Sequence, residues 1–437
     1  MDTCCKWRRI VLASRRALHL RVFCTHGTPV KNSLERWPTL PIVVRYGGSL
    51  EPDPPTSEDE DDIVAALKQS DRVISVSITI TSSLLEKLSA IERPLSELQE
   101  LDLLSPVTPW PTLPNTFQWG PHLRGLYSTE IAFPPLLQLI YSSINLVDLR
   151  LHEVLDPLHF SPEALTNALS GMAQLRFLSL HFGLLSTTYC PPSLPLSEER
   201  VVLPALTCFE FRGHTQYLES LVSRVDAPCL EDIAITFFDH PILSVSMLNK
   251  FINRIEMHRL HRQAHIILLE HSISISLLQP GVPTRRLTLR LICQPIYKQI
   301  SLMTEFCLSF SSVLINVGEL YINPLRNLKR RDRFYSQQLM ELLSSFTGVK
   351  GFHDINADDS NSDSTNVVHA LQLPERQRES VLPALSKLFI QQPGPRHAPL
   401  REAVVKFMVS YRLRGHCIQV EYEPACDINE QRDAGTL

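Results

Sequence analysis

Aliphatic residues recur along this chain in one short phrase, Leu-x-x-Leu-x-Leu, with polar residues in the gaps. It reads Leu98, Leu101 and Leu103, returns with Leu123 and Leu126, and is complete again at Leu146, Leu149 and Leu151 and at Leu175, Leu178 and Leu180. Looser copies stand at Leu206, Phe209 and Phe211 and at Leu230, Ile233 and Ile235. Successive first positions lie 25, 23, 29, 31 and 24 residues apart. The second half of each copy alternates apolar and polar, the period of a strand with one buried face. Each copy therefore predicts a short strand, followed by a loop and a helix-sized run.

Punctuation between the copies supports that alternation. Ser161-Pro162-Glu163 predicts a helix start, with Ser as N-cap and Pro at the first helical position. Further helices are expected around 217–225 and 247–255. Upstream, a basic amphipathic helix is expected over 3–19, strands over 18–23, 42–46 and 73–80, and a helix over 63–67. Ser83 and Glu86 have capping-box spacing and predict another helix start. Beyond residue 260 the pattern loosens. Strands are expected at 266–269, 273–277, 287–292, 319–322, 349–355, 385–390 and 418–422, with helices near 296–310, 336–346 and 400–413. The polar run 356–366 and the tail after Pro424 predict no packed element.

A unit of this length repeated in tandem is the signature of a leucine-rich-repeat solenoid. The expected fold class is α/β, an irregular solenoid with parallel strands on a concave face and helices on a convex one. The expected divisions are 1–20, an opening helix; 21–62, a linker with a short strand and an acidic loop; 63–423, the solenoid; and 424–437, a tail. The Asn or Cys usual three positions after the third Leu is replaced by Pro106, Ile131, Val154, Gly183, His214 and Phe238. That predicts uneven coils and long helices.

Composition changes the picture little. The 437 residues are 44% hydrophobic and 20% charged, with a net charge of −4. That balance gives no argument for nucleic acid as partner. Thirty-two prolines against 15 glycines suit turns between elements, with Pro-Pro pairs at 54–55, 134–135 and 191–192 placed in loops. Ten cysteines without a Cys-x-x-Cys predict a reducing compartment, cytoplasmic or nuclear, and no disulfide framework. Cys208, Cys293 and Cys307 read as small buried hydrophobes. No apolar run approaches the ~18 residues of a membrane span. A basic N-terminus carrying Lys6, Arg8, Arg9, Arg15, Arg16 and Arg21 also fits a mitochondrial transit peptide.

A more specific likeness lies in residues 4–46. Cys5-Lys6-Trp7-Arg8-Arg9-Ile10-Val11, Ala13-Ser14 and Leu18-His19-Leu20 resemble the last helix of an F-box. Gly27-Thr28-Pro29-Val30 and Trp37-Pro38-Thr39-Leu40-Pro41-Ile42 resemble the linker that follows it in F-box leucine-rich-repeat proteins of mushroom-forming fungi. The stretches Leu203 to Leu206, Phe209 to Gly213 and Val225 to Pro228 are similar to the same family. The resemblance implies docking to the Skp-type adaptor of a cullin ubiquitin ligase, with the repeats holding a substrate protein. Trp7, Ile10 and Val11 would be adaptor-binding residues, or would anchor the helix on the first coil. Because Met1 falls inside the matched helix, an N-terminally truncated F-box is expected. The alternative is a repeat-built scaffold with no ligase link.

For chemistry, the chain shows no nucleophile elbow, Walker loop, HExxH or dinucleotide turn, so neither an enzyme nor a cofactor is expected. His258, His261 and His265, with His271 beyond them, share a face if their segment is helical. Arg259 and Arg262 argue against a metal there, and a solvated basic helix end is the expectation. The acidic run Glu58 to Asp62 is expected to be solvated; the alternative reading is that it directs phosphorylation to Thr56 and Ser57 before it. Alternation turns the residues between the leucines to the concave side. The candidate partner-binding residues are Asp102, Tyr127, Asp148, Arg150, His152, Phe177, His181, Glu210, Arg212 and Asp232, with Glu100 and Ser179 beside them. Tyr, Phe and Arg among charges suit recognition of a protein.

Overall fold

A computed structural model describes residues 21–27, 30–37, 40–47, 54–91, 93–105, 122–130, 133–154, 161–183, 200–238, 245–255, 261–292, 296–323, 333–354, 381–391 and 417–423, with 405, 406, 408, 409 and 412. The chain divides into two compact units. The first is Met1–Phe211 with Gln216–Cys229, and the second is Arg212–Thr215 with Leu230–Leu437.

In the first unit the strands are β1 (Val22–Thr25), β2 (Ile42–Tyr46), β3 (Val73–Thr79), β4 (Glu100–Leu104), β5 (Gly125–Thr129), β6 (Asp148–Val154) and β7 (Phe177–Phe182). Each pairs in parallel with the next. A two-residue strand, β8 (Val201–Val202), pairs with β10 (Val225–Asp226) outside the main sheet. The strand β9 (Cys208–Gly213) follows β7 in the sheet order. Between strands lie α1 (Val30–Arg36), α2 (Ser57–Leu67), α3 (Ser82–Ser89), α4 (Phe133–Ser142), α5 (Pro162–Leu169) and α6 (Thr215–Arg224). These helices are short, not long as the missing Asn suggested.

The repeated phrase maps onto this sheet with a constant offset. Strands β4, β5, β6, β7 and β9 each begin two residues after the first Leu of their copy, at Leu98, Leu123, Leu146, Leu175 and Leu206. Those five leucines are buried. The two residues that follow each entry leucine carry a shared hydrogen-bond pattern. The amides of Arg124 and Gly125 both donate to Gln99 O, those of Val147 and Asp148 to Arg124 O, and those of Arg176 and Phe177 to Val147 O. Thr207 and Cys208 donate to Arg176 O in the same way. One carbonyl has two lone pairs and here serves two N–H groups of the next coil. The entry leucine thereby turns inward before the strand begins.

Local sequence explains the helix starts. Ser161 caps α5 through its hydroxyl to the Ala164 amide, with Pro162 following, as expected. Thr56 and Asp59 form a capping box that opens α2. The acidic run is therefore helical and not a solvated loop: carboxylates are favoured beside the free amides of a first turn. Glu60 is buried in it, 4% exposed. Thr81, not Ser83, caps α3, and Ser83 instead donates to Glu60 at 2.7 Å. Pro134 and Pro135 stand in α4, where the first turn has no use for their missing N–H groups.

The second unit contains β11 (Asp232–Phe237), α7 (Ser246–Arg254), β12 (Gln263–Leu268), β13 (Ser272–Gln279), β14 (Val282–Ile292), α8 (Ile296–Ser309), α9 (Ser311–Leu314), β15 (Glu319–Asn323), α10 (Arg333–Ser344), β16 (Gly351–Asp354), β17 (Lys387–Gln391) and β18 (Gln419–Glu423). Strands β15 to β18 pair in parallel, β12 joins β15 in parallel, and β11 joins β14 in parallel. The wholly parallel sheet expected from the sequence is interrupted here: β13 runs antiparallel to both β12 and β14. Their connections are too short for a crossover, which takes a dozen residues or more. Gly281, at φ +79°, makes the tighter turn. The doubled entry bond recurs at Arg262 O, Gly318 O and Lys350 O, each taking two amides. Val317, Val349 and Leu385 take the buried entry place there, and His261 holds it before β12.

His265 lies on β12, so the expected basic helix over the histidines is replaced by a strand in its described part. His258, residues 1–20 with Trp7, Ile10 and Val11, Cys293, residues 356–366, most of the expected helix 400–413 and the tail lie outside the described residues. Among the described residues no helix is long and apolar enough to cross a membrane. Cys307 is buried as expected, whereas Cys208 is half-buried on a strand.

Candidate functional site

The sheet of the first unit buries its leucines on one face and leaves alternate residues on the other. On β6, Leu149 and Leu151 are buried while Asp148, Arg150 and His152 are half-buried. Strand register assembles the latter into rows. One row runs Arg45, Ser77, Asp102, Tyr127, Arg150 and Ser179; its neighbour runs Ser75, Glu100, Gly125, Asp148 and Phe177. Residues from copies 25 or so apart in sequence thus become cross-strand neighbours.

Arg150 is the most constrained of these side chains. Its Nε donates to Asp148 Oδ1 and its Nη2 to Oδ2, both at 3.0 Å. Its guanidinium lies 4.1 Å from the Phe177 ring centre and 5.2 Å from that of Tyr127. A planar cation between two ring faces with a bidentate carboxylate is well fixed. Tyr127 donates its hydroxyl to Asp148 Oδ2 at 3.0 Å. Burial first, then the charge of Asp148, pushes the Tyr127 phenol up to about 12, so it stays a donor. Its ring lies over Gly125, where a Cβ would stand 3.0 Å from a ring carbon. Neutral hydroxyls orient the acids of β4: Ser75 donates to Glu100 at 3.2 Å and Ser77 to Asp102 at 2.8 Å.

Further along the same face, the Ser179 oxygen is 3.1 Å from His152 Nε2, 3.3 Å from His181 Nε2 and 3.2 Å from Glu210 Oε2. A hydroxyl has one proton and two lone pairs. Glu210 only accepts, so Ser179 donates to it and both imidazoles donate their Nε2–H to Ser179. The two rings stack at 4.2 Å. The cluster sets one serine against two histidines and an acid, with the carboxylate of Glu210 accepting from the serine itself. No set of three or more potential ligands among the described residues is placed to hold a metal.

A cleft of about 740 Å³ opens on this face, from Phe23 and Arg45 past Glu100 and Asp102 to Tyr127, Arg150 and His152. Asp102, Tyr127, Arg150 and His152 of the sequence-derived set line it, Asp148 and Phe177 support it, and His181 and Glu210 form the serine cluster. Its far wall, with Phe23, His26 and Arg45, was not anticipated. The only available signal was a charged residue inside the apolar run Ile42–Tyr46, where Arg45 alone is exposed.

Arg212 and Asp232 belong to the second unit. Arg212 lies over Phe238 at 4.9 Å, and Asp232 receives Arg286 in a bidentate pair at 3.2 and 3.0 Å. A second array there stacks His265, Tyr321, His353 and Phe389 across four strands, with ring centres 4.5, 4.0 and 4.1 Å apart. Burial, then His353, lowers the His265 pKa to about 4. His353 also meets Glu319 at 3.0 Å. Gly351 leaves room for that carboxylate, which a Cβ would overlap.

No protein-family model matches the chain, and no curated protein matches it.

Proposed function

We propose that this chain is a non-enzymatic interaction protein that holds a protein partner on the open sheet face of its first unit. The observation that carries the reading is the fixed group Tyr127–Asp148–Arg150–Phe177 on the floor of that face. Tyr and Arg held in one conformation lose little entropy when a partner covers them, which is what concentrates binding energy at a few residues. Joint substitution Tyr127→Ala and Arg150→Ala is expected to abolish capture of the partner identified by cross-linking to the wild-type chain. Undiminished capture by a folded double variant overturns the assignment to this face.

The ligase role follows from the likeness of residues 4–46 to an F-box and its linker. In that role the protein is the substrate-recognition subunit, bound through a Skp-type adaptor. Co-expression of the complete gene product with that adaptor is expected to yield a stable complex. Its failure to form would leave a binding scaffold without a ligase link.

A further inference from the structure

The ring ladder of the second unit stops one strand short. His265, Tyr321, His353 and Phe389 hold one register position on β12, β15, β16 and β17. Their ring centres lie 4.5, 4.0 and 4.1 Å apart, with interplanar angles of 25°, 14° and 3°. That spacing is close to the strand separation of about 4.8 Å, so each ring turns its faces toward the neighbouring strands. On the other side of His265 runs β13, where the same position holds Ser276, and beyond it β14 holds Thr288. Two short hydroxyls thus continue the row, and among the described residues no ring covers the β13 side of His265. We propose that this slot beside His265, floored by Ser276 and Thr288, takes a Trp, Tyr or Phe ring from a partner protein, with an acidic neighbour of that ring meeting Arg290. The slot stands independently of the reading of the first unit's face.

Ser276 and Thr288 bond each other at 3.0 Å, which lowers the cost of covering them. Leu278 and Ile267 flank the slot on β13 and β12 and give it apolar edges; both are partly exposed. Burial, then His353, keeps the His265 imidazole neutral at physiological pH, so it stacks without carrying a charge into the contact. Aromatic side chains are the groups that concentrate binding energy in such a place. Arg290 stands two residues along β14 from Thr288, about 6.8 Å away. It is exposed and donates to Ser272 Oγ at 3.2 Å. Other cations of this unit are matched by acids: Arg285 by Glu231, Arg286 by Asp232 and Lys387 by Glu421. Arg290 has no such carboxylate among the described residues, which suits one acidic side chain of a partner. A nucleic acid strand would also stack, but its phosphates call for a row of such cations.

The test is selection of random peptides of about twelve residues, displayed on phage, on the full-length chain, with soluble Ser276→Phe as competitor. That substitution supplies a ring from within and fills the slot. Should it fail to fold, His265→Leu, which removes the stacking face, takes its place. Enriched sequences are expected to carry a Trp, Tyr or Phe with an Asp or Glu close by. By fluorescence anisotropy they should bind about tenfold or more weakly to Ser276→Phe, and severalfold more weakly to Arg290→Gln, with Arg290→Lys recovering most of that loss. Ser276→Ala, which leaves the slot open, and Tyr127→Ala/Arg150→Ala, which alters the first unit's face, should bind as wild type does. No enrichment, sequences without an aromatic residue, indifference to Arg290→Gln, or loss on Tyr127→Ala/Arg150→Ala would each overturn the inference. So would a labelled oligothymidylate that binds more tightly than the peptides and is lost on the same slot variant.

Discussion

Several residues are held by contacts that their sequence neighbours do not reveal. His265 is kept neutral by burial and by His353, with its pKa lowered to about 4 from an ordinary 6.5. Between those values the unfolded chain binds a proton that the folded chain refuses. The stability this histidine carries is thus complete above pH 6.5 and lost as pH falls toward 4, by on the order of 2–3 kcal/mol. Urea titrations of wild type and His265→Phe at pH 7.5 and 5 are expected to show the larger drop in wild type. Gly348 makes a steric demand: a Cβ there would overlap the carbonyl oxygen of Ile315. Gly348→Ala is expected to destabilise by about 2 kcal/mol or more, read as a lower urea midpoint, because backbone cannot step aside as a side chain can. Neither demand is visible in the sequence. His261 and His265 looked like a pair on one helical face, since the spacing of four is all that a sequence displays. In the structure one fills an entry position usually held by an aliphatic residue and the other joins a ring stack.

At the scale of elements, the strands were legible and their surroundings less so. The offset between entry residue and strand holds because burial of the entry side chain and the doubled amide bond fix the chain together. The cap at Ser161 was readable because it depends on three adjacent residues. The start of α2 was missed because five consecutive acids suggest solvent, whereas Thr81, Ser83 and Lys87 come from 21 or more positions away to receive Glu60. Burial works to raise the Glu60 pKa, and hydrogen bonds from Thr81, Ser83 and Lys87 outweigh it, holding it below the ordinary value of 4.5. A depressed carboxylate contributes stability above its unfolded pKa, which is lost as pH falls through the folded one. Acid unfolding of the wild type is therefore expected to steepen below about pH 4.5, and Glu60→Gln is expected to flatten that part of the curve, followed by circular dichroism. The antiparallel strands β12 to β14 were also misread, because a parallel and an antiparallel strand share one alternation and differ only in the connection between them.

At the scale of the molecule, alternation divides each unit's sheet into positions that hold the fold and positions free to bind. Leu151→Ala is expected to cost about 2–5 kcal/mol, whereas Asp102→Asn is expected to stay within about 1 kcal/mol, both measured by urea unfolding. Partner binding should respond in the opposite order. Six of the open-face positions in the cleft and its support, Asp102, Tyr127, Asp148, Arg150, His152 and Phe177, followed from period two alone. Their mutual arrangement did not, since register between copies of unequal length is set by the entry bonds.

Those doubled bonds also determine where the chain can tolerate length changes. An extra residue in the loop after a strand only enlarges a surface excursion. One extra residue between Leu146 and Asp148 would separate the anchor from its strand and turn every side chain of β6 over. Arg150 would then point into hydrocarbon and Leu149 into water, so natural insertions and engineered tags belong on the helix side of each coil.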